Sequence, residues 1–245
     1  MWYKSLTTVL ILLAAGLWTL PAGAEAILFQ DGFNRGSQAA PLLLSGSAPD
    51  VRPGTETWSA PTSGTYLFRT DGNMLTAGGG KAVLPFSPTV PGLYTLQVTA
   101  DPADNGVDAD WISLGFASST SGNPWDNIGP WMVMRGNGKV TTFTTGTAGR
   151  VDVIDSGHTD ARPVAIVLDT TSPLWSVEWF VDGESKRTHS FTANPTINYV
   201  QLGANIDITK MGAFDNFSLS FVPEPSTWLA LLTGMMVLAT WRRRG

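Results

Sequence analysis

Apolar and polar side chains alternate along much of this chain. Tyr94, Leu96 and Val98 point one way, and Thr95, Gln97 and Thr99 the other. A period of two is the pattern of a half-buried strand. Ile112, Leu114 and Phe116 alternate in the same way, as do Trp175, Val177, Trp179 and Val181. The second of these runs ends at Asp182-Gly183, a strong hairpin dipeptide, with Phe191 assigned to the return strand. Residues 131–134 and 140–144 flank Arg135-Gly136-Asn137-Gly138, and residues 66–69 and 74–75 flank Thr70-Asp71-Gly72-Asn73. Both read as further hairpins. Residues 164–168 are apolar on both faces, which suits a central strand. A first strand at 27–30 ends at Asp31-Gly32-Phe33, and 199–202 together with Phe217, Leu219 and Phe221 close the series. Between the two chain ends nothing repeats at 3.6 residues. Many short strands separated by turn signals predict an all-β, antiparallel sandwich.

Some stretches break the alternation. Residues 35–65 are rich in Gly, Pro, Ser and Ala around Trp58 and read as a long irregular segment. Gly78-Gly79-Gly80-Lys81 lacks the spacing of a phosphate-binding loop and reads as a flexible turn. Residues 101–110 hold Asp101, Asp104, Asn105, Asp108 and Asp110, which miss the calcium-loop template and read as a solvated inter-strand loop.

The two ends carry a different pattern. At the N-terminus Lys4 precedes an apolar run to about Leu20, then Pro21 and the small residues Ala22 and Ala24. This is a signal peptide, 1–24, with cleavage after Ala24 or alternatively after Ala26. At the C-terminus Pro223-Glu224-Pro225 is followed by an apolar run to Trp241 and then Arg242, Arg243 and Arg244. The uncharged stretch spans roughly 21 Å as a helix, short for a hydrocarbon core of about 30 Å. Terminal tryptophans and the arginine cluster are nevertheless membrane-anchor features, and they set the arginines on the cytoplasmic side. A single transmembrane helix is expected at about 227–241. The segment 222–245 closely resembles the PEP-CTERM sorting signal of Gram-negative bacteria. That resemblance implies an exosortase-type processing enzyme as partner. It also implies an inner-membrane-anchored precursor and delivery to the cell surface or exopolysaccharide matrix. By the same resemblance Pro223, Glu224, Pro225 and the three arginines are recognition residues.

Composition narrows the remainder, 25–221. The whole chain has 15 Lys+Arg and 20 Asp+Glu for a net charge of −5. Lys4, the three terminal arginines and Glu224 belong to the signals, which leaves 11 against 19, or −8, on the domain. An acidic domain has no basic footprint for nucleic acid. There are no cysteines, so packing must hold an exported domain together.

The segments DADWISLGFAS, VEWFVDGE, YVQLGA and FDNFSLSF, in that order, resemble strands of concanavalin A-like, laminin-G-like jelly rolls. The resemblance implies that the first and last strands pair, bringing Asp31 near Asp215. Two readings stand for these aspartates: they share a structural Ca²⁺, which takes mixed carboxylate and carbonyl oxygens, or each bonds nearby backbone amides. Two readings also stand for Trp125 in its Gly-Asn-Pro-Trp-Asp-Asn loop. Its ring stacks on a sugar that Asp126 and Asn127 hydrogen-bond, or it plugs a loop folded over the core. Trp111, Trp131, Trp175 and Trp179 lie on strands and read as core or inter-sheet packing. Jelly-roll glucanases carry their carboxylates as E-x-D-x-x-E or a near variant, and no such motif occurs here. His158 and His189 are the two histidines, without H-E-x-x-H or G-x-S-x-G around them. The expectation is a non-catalytic surface or matrix protein that binds exopolysaccharide. The alternatives are a purely structural matrix component or a secreted carbohydrate-active enzyme.

Overall fold

The computed structural model describes residues 24–36, 40, 42–61, 68–71, 74–77, 79–102, 106–126, 129–154, 159–206 and 212–224. Ala26–Phe221 forms one compact unit. Residues 1–23 and 225–245, with most of the expected signal peptide and all of the expected membrane helix, lie outside the described residues. No helix among the described residues is long and apolar enough to cross a membrane. Val222 and Pro223 end the last strand in extended conformation and Glu224 is exposed.

The unit is an antiparallel β-sandwich. One sheet has nine strands: β1 (Ala26–Asp31), β2 (Leu42–Leu43), β3 (Phe68–Asp71), β4 (Met74–Ala77), β6 (Gly92–Asp101), β11 (Arg162–Asp169), β12 (Ser176–Val181), β13 (Glu184–Ser190) and β15 (Gly212–Pro223). The other has six: β5 (Gly79–Pro85), β7 (Trp111–Ala117), β8 (Trp131–Arg135), β9 (Lys139–Phe143), β10 (Val151–Ile154) and β14 (Tyr199–Asn205). The six run in the order β10-β9-β8-β7-β14-β5. The first and last strands pair as expected, from Ala26 opposite Phe221 to Asp31 opposite Phe217.

Alternation explains which side chains meet between the sheets. Tyr94, Leu96 and Val98 of β6 and Val164, Ile166 and Leu168 of β11 face Ile112, Leu114 and Phe116 of β7 and Val200, Leu202 and Ala204 of β14 within one core cluster. Each fully buried Leu, Ile or Phe contributes about 1.5–3 kcal/mol, which is how a chain without disulfides holds its sheets together. Trp179 joins this core, and its Nε1–H donates across the sandwich to the Trp131 carbonyl at 3.2 Å. Arg187 of β13 lies over the Trp179 ring and donates to Thr142 of β9, so it ties the two sheets at that edge.

Turn chemistry sets the hairpins. Asp182 and Gly183 both have positive φ, 53° and 77°, as a type I′ turn between right-twisted strands requires. In β15 Asn216 has φ 52°, and burial shifts phase there: Phe214 and Phe217, three apart, both face the core. The left-handed residue there defeats a strict period of two.

Three expectations need correction. Gly79-Gly80-Lys81 is no flexible turn but opens β5. Phe191 lies just past β13, not within it. Ala165 and Val167 of β11 are half-exposed, so that central strand has one buried face. The irregular segment 35–65, whose role the sequence left open, inserts Leu44 and Trp58 into the core.

Candidate functional site

The site is built on the outer face of the six-stranded sheet. Register places three rows of outward side chains across the strands. One row is Lys81, Gly203, Ser113, Val133 and Thr141, ending at Asp152 on the edge. The row on one side holds Val83, Gln201, Gly115, Trp131 and Phe143. The row on the other side holds Asn205, Trp111 and Arg135. Near the middle of the face the residues are small, Gly203, Ser113 and Gly115, and small residues let another backbone approach closely.

The connection from β7 to β8 uses that space. It leaves at Ser118, passes through one 3-10 turn at Pro124–Asp126, and returns at Pro130. Pro124 sits over Gly203, where an added Cβ would come within 2.9 Å of the proline ring and closer still to Ser113 Oγ. Trp125 lies edge-on to Trp111 at 5.8 Å, and Trp131 stacks on Phe143 at 4.3 Å. Trp111, Trp131, Val133 and Phe143, with Trp125 against them, form a second apolar cluster separate from the inter-sheet core. Trp111 and Trp131 are therefore packing residues, but on the outer face and not between the sheets.

Beneath this roof two polar side chains have no partner among the described residues. Gln201 is fully buried with neither amide atom hydrogen-bonded, and Ser113 Oγ is likewise unpaired. Lys81 anchors the roof, donating from Nζ to the carbonyls of Ser119 at 3.0 Å and Ser121 at 2.7 Å. Burial pulls the Lys81 pKa below its usual value, and the charge of Asp126 acts the other way. Asp126 Oδ2 accepts from the Asn123 amide at 2.9 Å, which closes the turn.

A second wall comes from the segment that looked structureless in sequence. Ser59 exchanges two backbone hydrogen bonds with Val83 of β5, and Trp58 beside it is pinned inside. The pin is Asp31. Its fully buried carboxylate accepts from Trp58 Nε1 at 2.8 Å, from the Phe33 amide at 2.8 Å and from Arg35 at 2.6 Å. Burial pushes the Asp31 carboxyl above the usual carboxylate value, and the three donors pull it back in part.

Between Ser59–Pro61 and the 120–125 stretch runs a cleft of about 430 Å³, floored by Gly80, Lys81 and Asn205 and walled by Ser59, Asn123 and Trp125. That volume is in the range of small-molecule sites, which are roughly 300–1,000 Å³. Trp125 thus fits both readings of it, since it packs on the outer cluster and lines an open cleft. Asp126 is at the exposed end of the same turn, and Asn127 lies outside the described residues. Alternation does not predict a site here, so Lys81, Ser59 and Asn205 were not singled out in sequence. The available signal was the run of small and amide residues at outward positions of β7 and β14.

The other predicted residues lie elsewhere. Asp31 and Asp215 do not make a calcium site that their surroundings fit. The Arg35 guanidinium holds the position a cation would take at Asp31, and Asp215 turns both oxygens to Asn216. Among the described residues no three Asp, Glu or His side chains converge. Asp108, from the acidic loop, accepts from Asn137 and faces Arg135 and Lys139, which together hold its carboxyl below the usual value. His189 packs edge-on to Phe191, and His158 lies outside the described residues, as do Pro225 and Arg242, Arg243 and Arg244.

No protein-family model matches the chain, and no curated protein matches it. Solved structures do. An endo-1,3-beta-glucanase from Streptomyces sioyaensis superposes with a TM-score of 0.53 at 12% identity, over 83% of this chain and 98% of that one. The carbohydrate recognition domain of Emp46p, in its metal-free form, superposes with a TM-score of 0.50 at 11% identity, over 76% and 97%. At these identities the likeness concerns the fold, a concanavalin A-like β-sandwich.

Proposed function

We propose that this chain is an exported surface or matrix protein whose β-sandwich binds exopolysaccharide without cleaving it. The observation that carries the reading is the cleft on the outer face of the six-stranded sheet, with an aromatic wall, amide and hydroxyl groups, and no Asp or Glu among the described residues that line it. An aromatic ring with a few fixed polar groups suits a sugar. Glycoside hydrolysis needs two carboxylates roughly 5–10 Å apart. The carboxylate found on the rows of that face, Asp152, stands on the edge strand and is held by Arg150 and Thr141. A glucanase and a recognition domain share the fold, so the lining residues and not the fold favour binding over cleavage.

The test is a glycan array on the full-length protein in mild detergent, with calcium and with chelator, alongside a reducing-end assay on the glycans that bind. Binding without new reducing ends, lost about tenfold or more in Trp125→Ala, is the expected result. New reducing ends would establish the enzyme reading. Binding to no glycan would leave the structural matrix reading.

Export is the other half of the proposal, and it rests on the PEP segment and its arginine-flanked apolar run. The partner is an exosortase-type enzyme acting on an inner-membrane-anchored precursor in a Gram-negative host. Replacing Pro223, Glu224 and Pro225 with alanine is expected to leave the protein in the membrane fraction. Release at the wild-type rate would remove the sorting reading.

A further inference from the structure

Resting on the polysaccharide-binding reading, and narrowing it, we propose that the cleft takes an acidic saccharide, with a uronate carboxylate seated against Lys81 Nζ. Lys81 is 6% exposed, yet it lines the cleft floor. An ammonium group has three N–H donors and no acceptor. Two of the three go to the carbonyls of Ser119 and Ser121. Among the described residues no carboxylate stands within ion-pair distance of it. The other buried cations among the described residues are treated differently: Arg135 faces Asp108 and Arg162 faces Asp182. Buried charges are ordinarily paired, because desolvation of a lone charge is costly. The nearest candidate partner, Asp126, spends Oδ2 on the Asn123 amide and acts on Lys81 as a more distant charge.

Lys81 thus lines the cleft with one donor beyond its two carbonyl bonds and only the more distant Asp126 to offset its charge. Among the described residues no Asp or Glu lines that cleft, although the domain around it is strongly acidic. A carboxylate entering the cleft meets the Lys81 cation, with Asp126 acting from farther off. The saccharide part of the ligand follows from the walls. The Trp125 ring offers a flat apolar surface, and Asn123, Asn205, Thr120 and Ser59 offer groups that bond hydroxyls. A bare anion would use Lys81 and none of these. A neutral sugar would use the walls and leave Lys81 unpaired.

The experiment is calorimetric titration of the full-length protein, in mild detergent, with oligogalacturonate, its methyl ester and a neutral β-glucan oligosaccharide. Esterification removes the charge and keeps the sugar. The expected result is binding of the free acid at least tenfold tighter than either uncharged ligand, weakening as salt rises. Lys81→Met is expected to erase that preference, and Lys81→Arg to retain it. Equal affinity for acid and ester would overturn the inference and leave glycan binding standing. Binding of none of the three, together with an empty glycan array, would remove both. Acetate competing as well as galacturonate would reduce the site to an anion pocket and also overturn the proposal. If Lys81→Met fails to fold because the roof loses its anchor, the acid-against-ester comparison on the wild-type protein decides the question.

Discussion

The two sheets of this sandwich treat their outer faces differently. On the nine-stranded sheet the outer face meets water: β6, β11 and β12 alternate between buried and half-exposed or exposed positions along their length. On the six-stranded sheet every residue of β7 and β8 is buried, outward ones included. A strand covered on one side needs polar residues on the other. A strand covered on both needs side chains that fit beneath a roof, and here they are glycine, serine, glutamine and tryptophan. The lesson is that the open face is a solved packing problem, whereas the roofed face keeps unpartnered polar groups beneath its roof. Buried polar atoms without partners are rare in folded proteins, and here Ser113 and Gln201 sit on adjacent rows of that face.

The largest effect expected from a single change is at Asp31, which supports the roofed face indirectly. Asp31→Ala strands the Arg35 and Trp58 donors and is expected to cost about 3–5 kcal/mol in chemical denaturation. Trp58 adjoins Ser59, so the change should also loosen one cleft wall and weaken glycan binding, while an equivalent truncation on the open face would not. A cost below about 1 kcal/mol would mean that Asp31 is not the pin. The same residue predicts a pH dependence. Burial dominates and raises the folded-state pKa, so the folded protein binds this proton more readily than the unfolded chain. The stabilisation is complete below the unfolded value of about 3.9 and is lost as pH rises through the folded value. Against Asp31→Asn, wild type should therefore lose ground as pH climbs from about 4. A gain in that window would mean that the Arg35 pair outweighs burial.

The comparison itself is broken or kept by enlarging one residue on each outer face. Gly203→Ala places a methyl group against Ser113 and Pro124, and overpacking of this kind costs about 1–3 kcal/mol. It should also lift the 3-10 turn that carries Trp125 and lower glycan affinity. Ala165→Val on β11, half-exposed between Gln97 and Phe180, should change stability by no more than about 0.5 kcal/mol. Equal costs at the two positions would mean that the roof is loose enough to be an ordinary surface loop.

The open face and the interior were legible in sequence for a physical reason. Water on one side and a core on the other force a period of two, and Tyr94-Leu96-Val98 or Val177-Trp179-Val181 carry it plainly. Trp125 was legible as an oddity, because a tryptophan among turn residues needs a partner. The roofed face was not legible. The outward residues of β5 and β14 meet a loop far away in sequence, as Lys81 and Ser119 do at 38 residues apart, and no local pattern encodes that contact. Lys81 was hidden further by its glycine neighbours, which read as a turn until β14 paired with them. Asp31 was legible in part: its bond to the Phe33 amide two residues on is the local reading, whereas Trp58, which it pins, is 27 residues away.

One expected effect has the opposite sign. Gln201 is buried at the centre of the roofed face with both amide atoms unpaired. An unpaired buried amide loses its hydration and gains nothing in return, so a side chain of similar shape without polar atoms should be tolerated or preferred. Gln201→Met keeps the length and flexibility of the side chain. It is expected to raise stability by about 1 kcal/mol, read as a small increase in Tm. On the open face the corresponding change, Gln97→Met, replaces a residue that water already satisfies, and no gain is expected there. Destabilisation by Gln201→Met would mean that an ordered water bonds the amide in solution, since buried water is costly to remove. A gain in stability accompanied by loss of glycan binding would give Gln201 a place in the site itself, with its unpaired amide kept for the ligand at the expense of the fold.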